Sequence, residues 1–230
     1  MREWTFVATF DRTQRGLNKK RQIILLKVVV WLIGLTPAAW LSWRGFSGGL
    51  GANPIEELLH RLGGAALILL ITTLAVTPLR RITGWNILTQ VRRLLGLFGF
   101  FYLTLHFLTY AVLDQTLDWE FILEDLTERR YIVVGFTAWL LLIPLAITST
   151  KGWIRRLGKK WHNLHRLAYV STSLGVLHFF WQVKADTYWP LVATIVLVIL
   201  FLLRLRRSKS KRAGKRSSQP TAADPSAVDA

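Results

Sequence analysis

Six apolar runs, at about residues 23–42, 57–78, 94–113, 131–149, 163–183 and 188–203, set what this chain can fold into. Each is close to the ~20 residues a helix needs to cross a ~30 Å hydrocarbon core. The last is short and would need little tilt. Backbone in lipid must satisfy its own hydrogen bonds, so runs of this length read as helices. Hydrophobic residues make up 52% of the 230 and lie in long runs, which is unusual for a soluble domain. The expected fold is an all-α membrane protein, a six-transmembrane-helix bundle.

The net charge of +17 is unevenly placed. Arg12, Arg15, Lys19, Lys20 and Arg21 precede the first run. Arg80, Arg81, Arg92 and Arg93 separate the second and third. Lys151, Arg155, Arg156, Lys159, Lys160 and Arg166 flank the fourth and fifth, and Arg204 to Arg216 follow the sixth. The alternate connections carry most of the acid: Glu56, Glu57, Asp114, Asp118, Glu120, Glu124, Asp125, Glu128 and Asp186. By the positive-inside rule both termini and the basic loops are cytoplasmic. The basic residues are thereby accounted for by topology, and no nucleic acid partner is expected. The first run lacks a well-placed small-residue cleavage site, so it reads as a retained span rather than a signal peptide.

Three segments follow. Residues 1–22 form a cytoplasmic amphipathic lead-in whose Trp4, Phe6 and Phe10 suit a membrane surface. Residues 23–203 form one membrane domain. Residues 204–230 form a basic tail, expected to be disordered and near anionic lipid. Pro54, with Glu56 and Glu57 behind it, marks a helix start. Residues 114–130 form the longest outer connection, and its segment 118–130 suits a short interfacial helix, acidic on one face. No internal repeat is evident.

Cysteine is absent, so thiolate metal sites, iron–sulfur clusters and disulfides are excluded. Histidine is present five times. An ionisable residue inside a span is costly and points to function. His106 and His178 lie deep in the third and fifth runs. His106 is thirteen residues past Arg93, roughly 20 Å along a helix, and His178 is twelve past Arg166, roughly 18 Å. The two imidazoles are therefore expected at one level, where facing rings would make axial ligands to a haem iron. His165, thirteen residues before His178, belongs to a different level and suits a second haem. The obvious partner positions for it on the third run are Arg92 and Arg93.

His60 opens the second run, next to Gly63 and Gly64, which permit close approach of a flat cofactor or another helix. It suits a ligand, a haem-propionate partner or a proton shuttle. Each histidine also has a plain reading, a hydrogen bond to a neighbouring helix. That reading is favoured for His162, in the headgroup zone beside Lys160 and Trp161. Phe98, Phe100, Phe101, Tyr102, Phe107 and Tyr110 could wall a porphyrin or face lipid.

The segments NPIEELLHRLGG, TPLRR, RRLLGLFGFFYLTLHFLTY, ERRYIVVGF, ITSTKGWIRRLGKKWHNLHRLAYV and LHFFW run in this order through about residues 20–205. Together they resemble the MsrQ (YedZ) family of the ferric-reductase-like transmembrane group. The resemblance implies a multi-pass protein of the bacterial inner membrane that binds b-type haem and FMN. It implies electron delivery to MsrP, a periplasmic molybdopterin enzyme that repairs methionine sulfoxide in envelope proteins. The donor would be the quinone pool or a cytoplasmic flavin reductase. The family's membrane histidines fall on His60, His106, His165 and His178.

The residues themselves support part of that picture. No GxGxxG motif is present, so NAD(P)H oxidation would need another protein. The outer loops lack a nucleophile or metal cluster, so the chain reads as an electron-transfer subunit rather than the catalytic one. Two competing readings are a stand-alone ferric or quinone reductase-like cytochrome and a proton-coupled transporter with a histidine relay. The second is weakened by spans that contain no Asp or Glu beyond Glu56 and Glu57.

Overall fold

The computed structural model describes residues 2–183 and 187–217, with side chains described from Asn18 to Arg204 apart from Lys19 and residues 184–186. Every regular element among them is helical. The order is α1 (Arg2–Phe46), α2 (Pro54–Thr83), a 3-10 turn, α3 (Arg92–Leu108) running into a π-helical turn (Thr109–Asp114), α4 (Trp119–Glu128), α5 (Arg130–Ile147), α6 (Lys151–Leu157), α7 (Lys159–Leu164), α8 (Leu167–Gln182) and α9 (Tyr188–Ser217). Two antiparallel pairs form the centre: α2 with α3, and α5 with α8.

Both ends of the bundle are set by local chemistry. At the acid-bearing end, the Asn53 side chain accepts the Glu56 N–H, with Pro54 and Glu56 in the first turn of α2. At the basic end, α2 stops at Gly84, whose φ of 73° places it in the left-handed region, and whose N–H returns to the Arg80 carbonyl.

Four helical stretches are long and apolar enough to cross a membrane: Lys20–Phe46, Pro54–Thr83, Arg92–Asp114 and Arg130–Ile147. The fifth run yields α8 with 16 residues, about 24 Å at a rise of about 1.5 Å, because the chain breaks its helix at His165 and Arg166. The sixth gives a shorter apolar stretch, Tyr188–Arg204. The expectation of six full spans thus becomes four long helices and two shorter ones. The lead-in is no separate element by its backbone, since α1 runs through it, and α9 continues helical to Ser217. The side chains of Trp4, Phe6 and Phe10, and also Asp186 and the tail from residue 218, lie outside the described residues.

Much of the apolar surface faces outward. Leu32 and Ile33 on α1 are each 64% exposed, which suits lipid rather than water. The interior is built in three patches. Leu41, Leu62, Ala66, Phe98 and Tyr102 join α1 to α2 and α3. Leu74, Val176, Leu197 and Leu200 join α2, α8 and α9. Leu70, Leu142 and Leu145 join the two central pairs.

Helix breaks are put to use. Pro37 interrupts α1, and the Tyr102 hydroxyl enters the gap. It accepts the Ala38 N–H at 3.0 Å and donates to the Gly34 carbonyl at 2.6 Å. Gly34 also lets the Phe98 ring lie so close that a Cβ there would sit 2.6 Å from it.

The two central pairs repeat one another. Residues 59, 63 and 106 of α2 and α3 make the same contacts as residues 131, 135 and 178 of α5 and α8, a constant shift of 72. The sequence reading found no repeat; the match lies in side chains meeting a facing backbone, and only a few residue types carry it.

Candidate functional site

The two hairpins meet at His106 and His178. Their ring centres are 6.2 Å apart, with planes at 81°. Each ring is tied to its own hairpin by the same bond. His106 Nδ1 lies 2.9 Å from the Leu59 carbonyl oxygen, and His178 Nδ1 lies 2.7 Å from that of Tyr131. A carbonyl can only accept, so both Nδ1 atoms carry the proton. Both Nε2 atoms are left with a lone pair, the tautomer a metal needs.

Glycine makes this possible. A Cβ at Gly63 would sit 3.1 Å from His106 Nδ1, and one at Gly135 would sit 2.7 Å from His178 Nδ1. A larger residue at 135 would force the His178 ring to move, and one at 63 would crowd His106. Gly64 meets nothing within 4 Å and has no such role.

The pair fits a haem iron on two counts. A metal–imidazole bond of about 2.0 Å, with the ring centre about 1.1 Å behind its nitrogen, puts two opposed rings about 6 Å apart. The observed separation matches that spacing, and the tautomers are correct. Between α3 and α5, Trp139 stacks on Phe107 at 4.4 Å, with Phe136 at 5.6 Å from Phe107. The Trp139 indole N–H donates to Thr104 Oγ1 at 3.1 Å, which locks α5 to α3. Of the aromatics weighed as a porphyrin wall, only Phe107 joins this cluster. Phe98 and Tyr102 serve α1, Phe101 is 42% exposed, and Tyr110 turns to the acid-bearing end.

The other histidines stand apart. Gln182 Nε2 lies 2.7 Å from His60 Nε2, a link between α2 and α8 above the pair. His165 Nε2 is 3.2 Å from Thr148 Oγ1, and its ring stacks on Trp161 at 3.9 Å. The Trp161 indole N–H donates to the Thr148 carbonyl, so the three form one knot at the basic end. His162 is exposed, with its ring edge-on to Trp161. Among the described residues no three His, Asp or Glu side chains gather as a metal site.

One cluster escaped sequence reasoning. Asp125 of α4 is buried, and it accepts from the Tyr110 hydroxyl at 2.9 Å, from Gln115 at 3.2 Å and from Arg129 at 3.0 Å. Three donors compensate a carboxylate that would otherwise be costly to bury. They pin α4 over the end of α3, where Thr116 and Leu117 both take left-handed φ values of 50° and 59°. The only signal for it was a Tyr one turn past His106.

The description "Ferric reductase like transmembrane component" belongs to a family model that matches residues 62–176. Among known proteins, the protein-methionine-sulfoxide reductase heme-binding subunit MsrQ of Xanthomonas campestris is 45% identical over 215 residues, 90% of this chain and 99% of that protein. The MsrQ of Xanthomonas oryzae is 45% identical over 210 residues, 88% and 96% of the two chains. That of Rhodospirillum rubrum is 47% identical over 192 residues, 81% and 92%. No solved structure matches.

Proposed function

Because the chain belongs to the family of MsrQ heme-binding subunits, within the ferric-reductase-like transmembrane group, we propose that it holds a b-type haem between His106 and His178 and passes electrons across a bacterial inner membrane. The recipient is a periplasmic molybdopterin methionine sulfoxide reductase of the MsrP kind. The observation that carries this reading is the imidazole pair, one from each hairpin, at a spacing that suits a single iron.

A bound haem supplies a one-electron couple. The rest falls to this chain. The carbonyls of Leu59 and Tyr131 hold each ring in the ligating tautomer and stiffen its orientation. His106 and His178 would together hold the iron, and a haem held by two imidazoles would supply electron transfer rather than oxygen chemistry. Phe107, Phe136 and Trp139 form an apolar cluster that joins α3 to α5. His60 and Gln182 close the acid-bearing side above the pair.

In this reading the basic end faces the cytoplasm, by the positive-inside rule. Electrons arrive from quinol or from a cytoplasmic flavin reductase, and FMN binds among the basic loops. The partner enzyme docks at the acid-bearing end, near α4. A second haem on His165 would require its Nε2 to leave Thr148, and the charge that bears on it from α3 is that of Arg92.

The test is spectroscopic. Purified protein should show a low-spin b-type spectrum. His106→Ala and His178→Ala should each abolish it or turn it high-spin, while His162→Ala leaves it intact. A normal low-spin spectrum in both alanine variants would refute the assignment.

A further inference from the structure

Tyr131 connects His178 to the outside of the bundle. Its carbonyl accepts from His178 Nδ1 at 2.7 Å, and its ring centre lies 5.9 Å from that of the imidazole, tilted by 47°. The same residue lines an open groove of about 370 Å³ where α4, α5 and α8 meet, together with Glu128, Arg129, Arg130 and Trp181. The first hairpin has Leu59 at the equivalent place, so the carbonyl that holds His106 belongs to a residue without a ring. The two hairpins match in how they hold their histidines and differ in what they present outside.

The fold alone does not require these lining residues. The positive-inside rule accounts for the arginines of the basic end, but not for Arg129 and Arg130 at the acid-bearing end. Both also stand at the start of α5, where the helix dipole already presents positive charge. Asp125 offsets Arg129 at 3.0 Å. Arg130 is exposed and has no ion-pair partner among the described residues. Trp181, in the last turn of α8 beyond His178, is 49% exposed. Tryptophan, tyrosine and arginine are the side chains that most often anchor a protein–protein contact, and charges at its rim steer the encounter.

We propose that this groove is the port where the periplasmic reductase docks, gripping Trp181 and Arg130 with its redox centre brought toward His178 across Tyr131. The inference rests on the electron-transfer reading and adds the residues that the partner contacts. The rim carries both signs of charge, so the fitting surface offers an apolar side chain to Trp181, a carboxylate to Arg130 and a basic group to Glu128. The step served there oxidises a ferrous haem by one electron and reduces the partner's molybdenum centre by one, with no bond made or broken.

The experiment uses the full-length, haem-loaded protein in nanodiscs, reduced with dithionite and mixed rapidly either with an MsrP-type reductase and methionine sulfoxide or with a small ferric chelate. Trp181→Ala and Arg130→Glu should each slow haem oxidation by the reductase about tenfold or more. Their low-spin spectra and their oxidation by the chelate should match wild type. Trp119→Ala, 71% exposed on α4 but outside the groove, should match wild type in both reactions. A wild-type rate with the reductase in either groove variant would overturn the proposal. So would equal slowing with the chelate, which places the defect at the haem, or equal slowing in Trp119→Ala. A groove that seats lipid instead would leave the reductase rates intact, while both groove variants lose a thermal stabilisation that wild type gains in phosphatidylglycerol over phosphatidylcholine. A wild type without low-spin haem would refute the electron-transfer reading and the proposal together, whereas the other adverse outcomes refute the proposal alone.

Discussion

Gly135 and Gly63 do the same job at different clearances, so they should not tolerate alanine equally. A methyl at position 135 would lie 2.7 Å from His178 Nδ1, against 3.1 Å for position 63 and His106. Gly135→Ala must therefore push its imidazole off the Tyr131 carbonyl, and haem retained per polypeptide should fall clearly. Gly63→Ala should cost less. Equal, full haem loading in both variants would count against the close approach. At this scale the sequence was partly legible. His106 and His178 stood out because an imidazole in an apolar helix has few innocent explanations. Their carbonyl partners did not, because any residue can offer a carbonyl and only the helix register selects Leu59 and Tyr131. Trp139 was equally silent, since nothing in its own run distinguishes a tryptophan that packs inward from one in lipid.

Helix breaks at proline account for much of how the elements hold together. The Tyr102 hydroxyl repairs the break at Pro37, so Tyr102→Phe leaves the Ala38 N–H and the Gly34 carbonyl without partners. That loss should cost about 1–3 kcal/mol. Thermal unfolding would measure it, and the penalty should shrink in a Pro37→Ala background, where α1 can close its own bond. Additive effects in the double variant would contradict this role. At the acid-bearing end, Asp125→Ala removes the acceptor shared by Tyr110, Gln115 and Arg129. Proteolysis within residues 114–130 should then accelerate while haem binding persists. The helix itself was readable from its acidic pattern. Its buried carboxylate was not, since a carboxylate in such a loop normally meets water.

Over the whole molecule, the two hairpins bring equivalent histidines together, ring centres 6.2 Å apart. The tripeptide Leu-His-Phe at 105–107 recurs at 177–179, each with a glycine 43 residues before its histidine. That signal is too sparse to find without the contacts. The apolar runs located every long helix correctly, but run length overstated the fifth, where the chain turns at His165 before α8 begins. Orientation is directly measurable because the chain has no cysteine. Single cysteines placed at Ser47 and at Thr83 should label from opposite faces, Ser47 from the periplasm. Labelling of both from one face would break the topology. The central claim, that one iron is shared by two hairpins, is tested most directly by electron paramagnetic resonance of the ferric protein. The wild type should give a low-spin signal alone, with conversion to high spin or loss of signal in His106→Gly and His178→Gly, and recovery of low spin when free imidazole is added. A high-spin wild type, or a low-spin signal unchanged in both glycine variants, would contradict it.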